Sequence, residues 1–150
     1  MKPLIFALVC LQLLSISSLA AETDRKHVVL NPSDARNAFP FSDAVLVGNT
    51  LYVAGTVGFD STGKPPASAE EETKLAMDGL KRVIESEGMA MDDLVSVQVF
   101  CTDFTLYDRF NGVYRTYFHD QFPARAFIGV ASLVRGAHFE IMGIAVKRAK

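Results

Sequence analysis

The sequence predicts an α+β domain in which a single β-sheet packs both of its helices on one face. Runs of alternating apolar residues and runs with helical spacing follow one another in the order strands, helix, strand, helix, two strands. Several strands are apolar on both faces, and no third helix is available to cover the second face. We therefore expect that face to be buried by self-association. The length of 150 residues suits one domain with a substantial core.

The amino-terminal segment has the pattern of a secretory signal peptide. A basic start at Lys2 precedes an apolar run over residues 4–14, and small residues place a cleavage site before Ala21. The run is too short to span a membrane as a helix. We expect residues 1–20 to be removed and residues 21–150 to form a secreted or periplasmic domain without a membrane anchor. An uncleaved anchor is the alternative.

The first half of the domain is predicted to contain an edge strand, a hairpin and a helix. Residues 28–30 predict the short edge strand. Two β-rich runs, at residues 44–47 and 50–54, flank Gly48-Asn49, a strong hairpin signal. Ser68 and Glu71 then form a capping box that begins a helix ending at Gly88. The apolar stripe of this helix consists of Leu75, Ala76, Leu80, Val83 and Ile84.

The second half begins with a strand and a helix. Residues 94–102 alternate as a strand, with Val95, Val97, Val99 and Cys101 on one face. After signal cleavage Cys101 is the only cysteine left, and we expect a buried apolar side chain; a reactive thiol is the alternative. Thr105 is predicted to cap the second helix. Its apolar stripe, more typical of a core than of a cofactor site, consists of Leu106, Phe110, Val113, Tyr114, Tyr117 and Phe118.

The last two strands, within residues 122–148, contain one arginine and one glutamate among apolar residues. Arg125 and Phe127 share a face of the first strand, and His138 and Glu140 share a face of the second. Desolvating such charges is costly without partners or a ligand. One hypothesis is a salt bridge, internal or between subunits. The other is an arginine that binds a substrate carboxylate beside a glutamate that handles a proton or a water.

Several motifs together resemble the RidA (YjgF-type) family of imine and enamine deaminases. They are Phe41-Ser42, the hairpin VGNTLYVAG, the strand end VFCTDF, the helix YDRFNGVYRTYF, and FPAR followed by a strand and EI-x-x-IAV. The resemblance implies a mixed sheet, a homotrimer, and three active-site clefts between subunits. It also implies cofactor-free hydrolysis of small 2-imino acids, as by a 2-iminobutanoate/2-iminopropanoate deaminase, to 2-oxo acids and ammonia.

The resemblance also assigns roles to individual residues. Arg125 matches the arginine that binds the substrate carboxylate, and Glu140 matches the glutamate that orients the attacking water. Asn111 matches an asparagine of the second helix, and Gly55 a glycine near the pocket. There are two departures from the family pattern. The usual pocket tyrosine is Phe41, which lacks a hydroxyl, and a frequent cysteine is Phe127, which could narrow the pocket while its backbone N–H still assists binding.

Other chemistries receive little support from the sequence. The three histidines are scattered without metal-ligand spacing, so we expect no metal site. No phosphate-binding glycine motif and no basic stripe occur, and the formal net charge is −2, so we expect no nucleotide or nucleic-acid ligand. His138 is either a tuning group for Glu140 or a rim side chain. The alternatives to a deaminase are a non-catalytic trimer that binds small carboxylates or is structural, and an endoribonuclease.

Overall fold

The computed structural model describes residues 24–31, 40–119 and 121–148 and confirms the predicted α+β layer. In chain order its elements are β1 (Arg25–Val28), β2 (Ala44–Val47), β3 (Thr50–Val57), α1 (Ala69–Ser86), β4 (Leu94–Cys101), α2 (Tyr107–Tyr114), β5 (Ala124–Gly129) and β6 (Phe139–Val146). The signal-peptide prediction lies outside the described residues.

One mixed sheet of six strands organises the chain, in the order β1-β2-β3-β6-β4-β5. The edge strand β5 runs parallel to β4, whereas the other paired strands are antiparallel. Both helices pack on the same face of this sheet. Within the described part of the chain, no helix has the length and apolar character needed to cross a membrane.

The core lies between the helices and this face of the sheet. On β4 and β6, alternate side chains point toward the helices and are almost completely buried, as are their partners on α1 and α2. Its largest members are Phe110, Phe139, Leu51, Met77, Leu80, Ile84 and Ile141. The predicted ends of α1 are confirmed: the Ser68 side chain accepts a hydrogen bond from the Glu71 amide, and Gly88 has a φ of 70° just after the helix.

Two strand predictions need correction. The edge strand is Arg25–Val28 rather than residues 28–30, because the amide of Leu30 donates to the Asp43 carboxylate (2.8 Å) and is not part of the strand ladder. Val95 does not lie on the buried face of β4 and is 49% exposed. The pairing of β4 with β6 shifts between Leu94 and Ser96, and this irregularity turns the Val95 side chain outward.

Two helix predictions also need correction. Leu75 is only half-buried, because the inward face of α1 follows Glu72, Thr73, Ala76 and Met77. The cap of the second helical segment is Asp103 rather than Thr105. The Asp103 carboxylate accepts hydrogen bonds from the amide (2.8 Å) and hydroxyl (2.7 Å) of Thr105 and begins a short 3₁₀ turn that leads into α2.

The face of the sheet away from the helices is uncovered within the described residues. Tyr52 and Met142 lie on it with 49% and 36% of their surfaces exposed. The strand register places Ile144 beside Tyr52, and Phe100 beside Glu140. We call this surface the open face. It is a broad, largely apolar surface with one carboxylate on it.

Candidate functional site

Arg125 is held on the helix side of the sheet by its position on β5. It pairs in parallel with the buried Val97, so both side chains point toward α2. The guanidinium carbon lies 4.5 Å from the centroid of the Tyr114 ring. Three further rings, of Tyr107, Phe110 and Phe127, have centroids 5.9, 5.9 and 5.5 Å from it. This aromatic surround desolvates the cation and holds it by cation–π attraction.

Among the described residues, Arg125 has no carboxylate partner. Its one polar contact there is a long hydrogen bond from Nη2 to the hydroxyl oxygen of Tyr107, at 3.5 Å. A guanidinium that is partly desolvated and lacks a counter-ion is suited to bind an anion with two parallel hydrogen bonds.

Arg125 and Asn111 line the same groove. This agrees with the family resemblance, which assigned both residues to one site. The groove has a volume of about 290 Å³ and lies between α2 and the segment that leads into β5. Tyr107, Asn111 and Tyr114 follow one another at spacings of four and three residues, so they lie on one side of α2. Burial raises the pKa of Tyr114 to about 12.

Phe127 lies beside this groove rather than in it. Its ring makes edge-to-face contacts with Tyr107 (centroids 4.8 Å apart) and Phe110 (5.3 Å). The large side chain therefore packs into the aromatic cluster between β5 and α2, where such contacts stabilise the helix against the sheet. The groove is lined instead by Phe122, Pro123 and Arg115, together with the α2 residues and Arg125.

Glu140 lies on the open face, directly over Gly55. A Cβ atom on Gly55 would be 1.9 Å from Glu140 Oε1, so a side chain at this position would displace the carboxylate. The approach depends on an irregularity of β3, whose pairing with β6 shifts between Val53 and Thr56. The Glu140 side chain is half-buried, and no described residue forms a hydrogen bond or an ion pair with it.

Arg125 and Glu140 lie on opposite faces of the sheet. Arg125 pairs with the buried Val97, whereas Glu140 pairs with Phe100 on the alternate face of the same strand β4. The hypothesis of an internal salt bridge between them is therefore wrong for a single chain. A pair formed between subunits stays open.

Phe41 and Gly55 are brought together at a second groove, of about 310 Å³, at the side of the sheet near β1. Phe41 is 58% exposed, and Asp43 and Arg82 also line the groove. In one chain, Arg125 and Asn111 thus share a groove with Phe127 beside it. Gly55 lies next to Glu140 and also lines the groove of Phe41, which Glu140 does not line.

Glu72, a fully buried carboxylate on α1, was not predicted from the sequence as a functional residue. It accepts hydrogen bonds from the amides of His138 (2.6 Å) and Phe139 (3.1 Å), and its other oxygen lies 2.7 Å from Nδ1 of His138. His138 is thus bound to Glu72. Extending the buried spacing of α1 back from Ala76 to residue 72 would have identified this glutamate.

Cys101 is confirmed as a buried side chain, with 1% of its surface exposed. Burial raises the pKa of the thiol, and its Sγ donates to the carbonyl of Asp103 at 3.1 Å. Among residues 24–31, 40–119 and 121–148 there is no group of three or more histidine, cysteine, aspartate or glutamate side chains able to hold a metal ion.

Comparisons with known proteins agree with this architecture. Residues 33–147 match the family model described as Endoribonuclease L-PSP. A 2-iminobutanoate/2-iminopropanoate deaminase of Mus musculus is 38% identical over 110 residues, which are 72% of this chain and 82% of that protein. The enzyme of the same name from Dermatophagoides farinae is 33% identical over 81% of this chain and 96% of its own length.

Solved structures agree as well. The YjgF gene product of E. coli superposes with a TM-score of 0.70 at 30% identity, covering 74% of this chain and 91% of that one. RidA from an Antarctic Psychrobacter superposes with a TM-score of 0.72 at 28% identity, covering 81% of this chain and all (100%) of its own.

Proposed function

Because the chain belongs to the Endoribonuclease L-PSP family, also known as the YjgF/RidA family, we propose that it is a hydrolytic deaminase of small 2-imino acids and their enamine tautomers. The observation that supports this most directly is the state of Arg125. Its guanidinium is surrounded by aromatic rings, faces a groove and lacks a carboxylate partner among the described residues. Such an arginine is suited to bind the carboxylate of a small acid.

We assign the water-handling role to Glu140. Its carboxylate has no hydrogen-bond or ion-pair partner in the described chain, and the missing side chain of Gly55 leaves the space that the carboxylate itself occupies, so its oxygens are available to a water. Water held there would add to the imine carbon, forming a C–O bond while the C=N electrons move to nitrogen. Glu140 would accept the water proton and pass it to the nitrogen, giving a carbinolamine. Transfer of the hydroxyl proton to nitrogen then lets the C–N bond break as the C=O bond of the 2-oxo acid forms, so that one water is consumed and one ammonia released. No cofactor is required, because an iminium carbon is already electrophilic.

We further propose that the working enzyme is a homotrimer with the site between subunits. Arg125 and Glu140 lie on opposite faces of one chain, so a site that uses both takes them from different copies. The open face, with Tyr52 and Met142 exposed, is a surface that a second copy can bury. We expect a trimer in sedimentation equilibrium. A stable monomer at micromolar concentration would contradict the shared site.

Two substitutions separate this proposal from a structural role of the same residues. Arg125→Lys keeps the charge but loses the two parallel bonds, so we expect weaker binding of 2-oxobutyrate by about 2 kcal/mol. Glu140→Gln keeps the shape but removes the base. We expect nearly unchanged affinity for 2-oxobutyrate, with ammonia release from 2-iminobutyrate about a hundredfold slower or more.

The measurements are calorimetric titration with 2-oxobutyrate, ammonia release, and thermal melts of both variants. If the wild type binds no small carboxylate and both variants only melt earlier, the structural trimer is the correct assignment. Binding without any turnover would favour the non-catalytic carboxylate-binding alternative.

An endoribonuclease is disfavoured by the surface charges. The formal net charge is −2, and several cationic side chains already pair with carboxylates. These include Lys26 with Glu87 and Arg109 with Glu70. Binding of a phosphate backbone depends mainly on lysine and arginine, and these ion pairs reduce the number of cations available for it.

A further inference from the structure

The groove that contains Arg125 has a second cationic side chain. Arg115 lines the same space of about 290 Å³, at the point where α2 passes into a 3₁₀ turn. No aspartate or glutamate is among the groove-lining residues. Two guanidinium groups without a nearby carboxylate make the groove attractive to a ligand with more than one negative charge.

Arg115 is oriented by its own helix. Its Nε donates to the carbonyl oxygen of Asn111 at 3.2 Å, four residues earlier. Neither Nη group forms a hydrogen bond or an ion pair with any residue that the structure describes. The backbone contact thus fixes one edge of the guanidinium and leaves the other edge available to an anion.

The groove also contains a buried hydroxyl without a partner. Tyr114 is 4% exposed, and its Oη forms no hydrogen bond within the described residues. Leaving a buried hydroxyl unpaired is unfavourable, and native proteins rarely do so unless a ligand or water supplies the partner. The Tyr114 ring packs against the Arg125 guanidinium, and Tyr114 directly precedes Arg115 in the sequence. Because its hydroxyl lacks a partner at this point, it is an independent indication that a polar ligand binds in the groove.

We propose that Arg115 is a specificity-determining residue, and that the preferred substrates are 2-imino acids with a second carboxylate, of the aspartate and glutamate type. This inference rests on the proposed function. Arg125 binds the carboxylate next to the imine carbon, and Arg115, with the Tyr114 hydroxyl, binds the carboxylate at the other end of the carbon chain. A volume of about 290 Å³ suits a metabolite of this size.

The test compares two stable product-like acids, 2-oxobutyrate and 2-oxoglutarate, by calorimetric titration of the purified full chain. We expect the wild type to bind 2-oxoglutarate about tenfold more tightly, as one additional charge-assisted contact allows. Arg115→Gln should remove this preference and leave the affinity for 2-oxobutyrate within about twofold. Arg115→Lys should retain part of the preference, since it keeps the charge.

Two further variants complete the test, the first as a control and the second as a test of the tyrosine hydroxyl. Arg25→Gln removes the same charge from β1, at the opposite edge of the sheet from β5, and should retain the full preference. Tyr114→Phe should bind 2-oxoglutarate several-fold more weakly without melting earlier, because the lost hydroxyl has no protein partner among the described residues.

The outcomes distinguish this inference from the proposed function. If the wild type hydrolyses 2-iminobutyrate but binds both oxo acids equally, or if Arg115→Gln keeps the preference, the role of Arg115 is wrong and the deaminase assignment stands. If the wild type binds neither oxo acid but hydrolyses 2-iminobutyrate, only the role of Arg115 is wrong; if it does neither, both proposals are wrong.

Discussion

Replacing Gly55 by alanine should disable Glu140 without unfolding the protein. The new Cβ would lie 1.9 Å from Oε1 and 2.8 Å from Cδ of Glu140, whereas ordinary contacts begin at 3.4 Å. The nearer oxygen must therefore move by about 1.5 Å. The clashing carboxylate is the end of the flexible, half-buried Glu140 side chain, so it can rotate away from the new methyl group at low cost. The position that the proposed mechanism requires of it, however, would be lost.

The expected magnitudes follow from this geometry. A misplacement of about 1 Å in a catalytic group can reduce the rate on the order of a hundredfold, so turnover of 2-iminobutyrate should fall at least that far. The free energy of unfolding should change by less than about 1 kcal/mol, because no buried contact is removed. Ammonia release under saturating substrate and urea unfolding measure the two quantities.

Gly112→Ala is the matched control. It adds the same methyl group to α2, where a Cβ would meet nothing within 4 Å. It should stabilise the protein by about 0.5–1 kcal/mol through helix propensity and leave turnover unchanged. Wild-type turnover in Gly55→Ala would refute the reasoning, since Glu140 would then not depend on its place over Gly55. A large loss of stability in Gly55→Ala would refute the claim that only the carboxylate moves.

Three further predictions concern other parts of the chain. The Arg109 guanidinium, by hydrogen bonding, holds the pKa of Glu70 at about 2, below its ordinary value of 4.5. A lowered folded-state pKa stabilises the protein above pH 4.5, and that contribution is lost as the pH falls toward 2. The difference in melting temperature between wild type and Glu70→Gln should therefore shrink over this range, and a constant difference would contradict it. The Cys101 thiol should react with an aromatic disulfide reagent far more slowly in the native protein than in urea, and equal rates would show that it is accessible. Protein recovered from outside the cytoplasm should begin at Ala21 by amino-terminal sequencing, whereas an intact Met1 on cytosolic protein would contradict signal cleavage.

Features with local causes could be predicted from the sequence. The turn at Gly48-Asn49, the cap at Ser68 and the helix end at Gly88 each depend on a few adjacent residues, and all three were confirmed. Errors occurred where the outcome depends on pairing between distant segments. Val95 alternates correctly within its strand, but an irregular register with β6 turns it outward. Thr105 has the chemistry of a cap, but Asp103 has a stronger acceptor two residues earlier.

In the candidate site, too, the residue types could be predicted from the sequence but their relative placement could not. The residue types of Arg125 and Glu140 and the strands that bear them could be inferred from charges inside apolar runs. Their placement on opposite faces depends on the pairing of both strands with β4. The groove that joins Arg125 with Asn111 and Arg115 depends on how α2 packs on β5, for which the sequence has no local signal.

The hydrogen bonds of Glu72 favour one register of β6 in the sheet. Side chains alternate between the two faces of a strand, so a slip of one residue would turn Glu140 into the apolar core and Phe139 out onto the open face. The same slip would remove the amides of His138 and Phe139 from Glu72 and leave a fully buried carboxylate without its donors. The unpaired charge makes the sheet with the shifted β6 register less stable by several kcal/mol. One buried carboxylate on a helix thus selects a single alignment of the strand that bears Glu140.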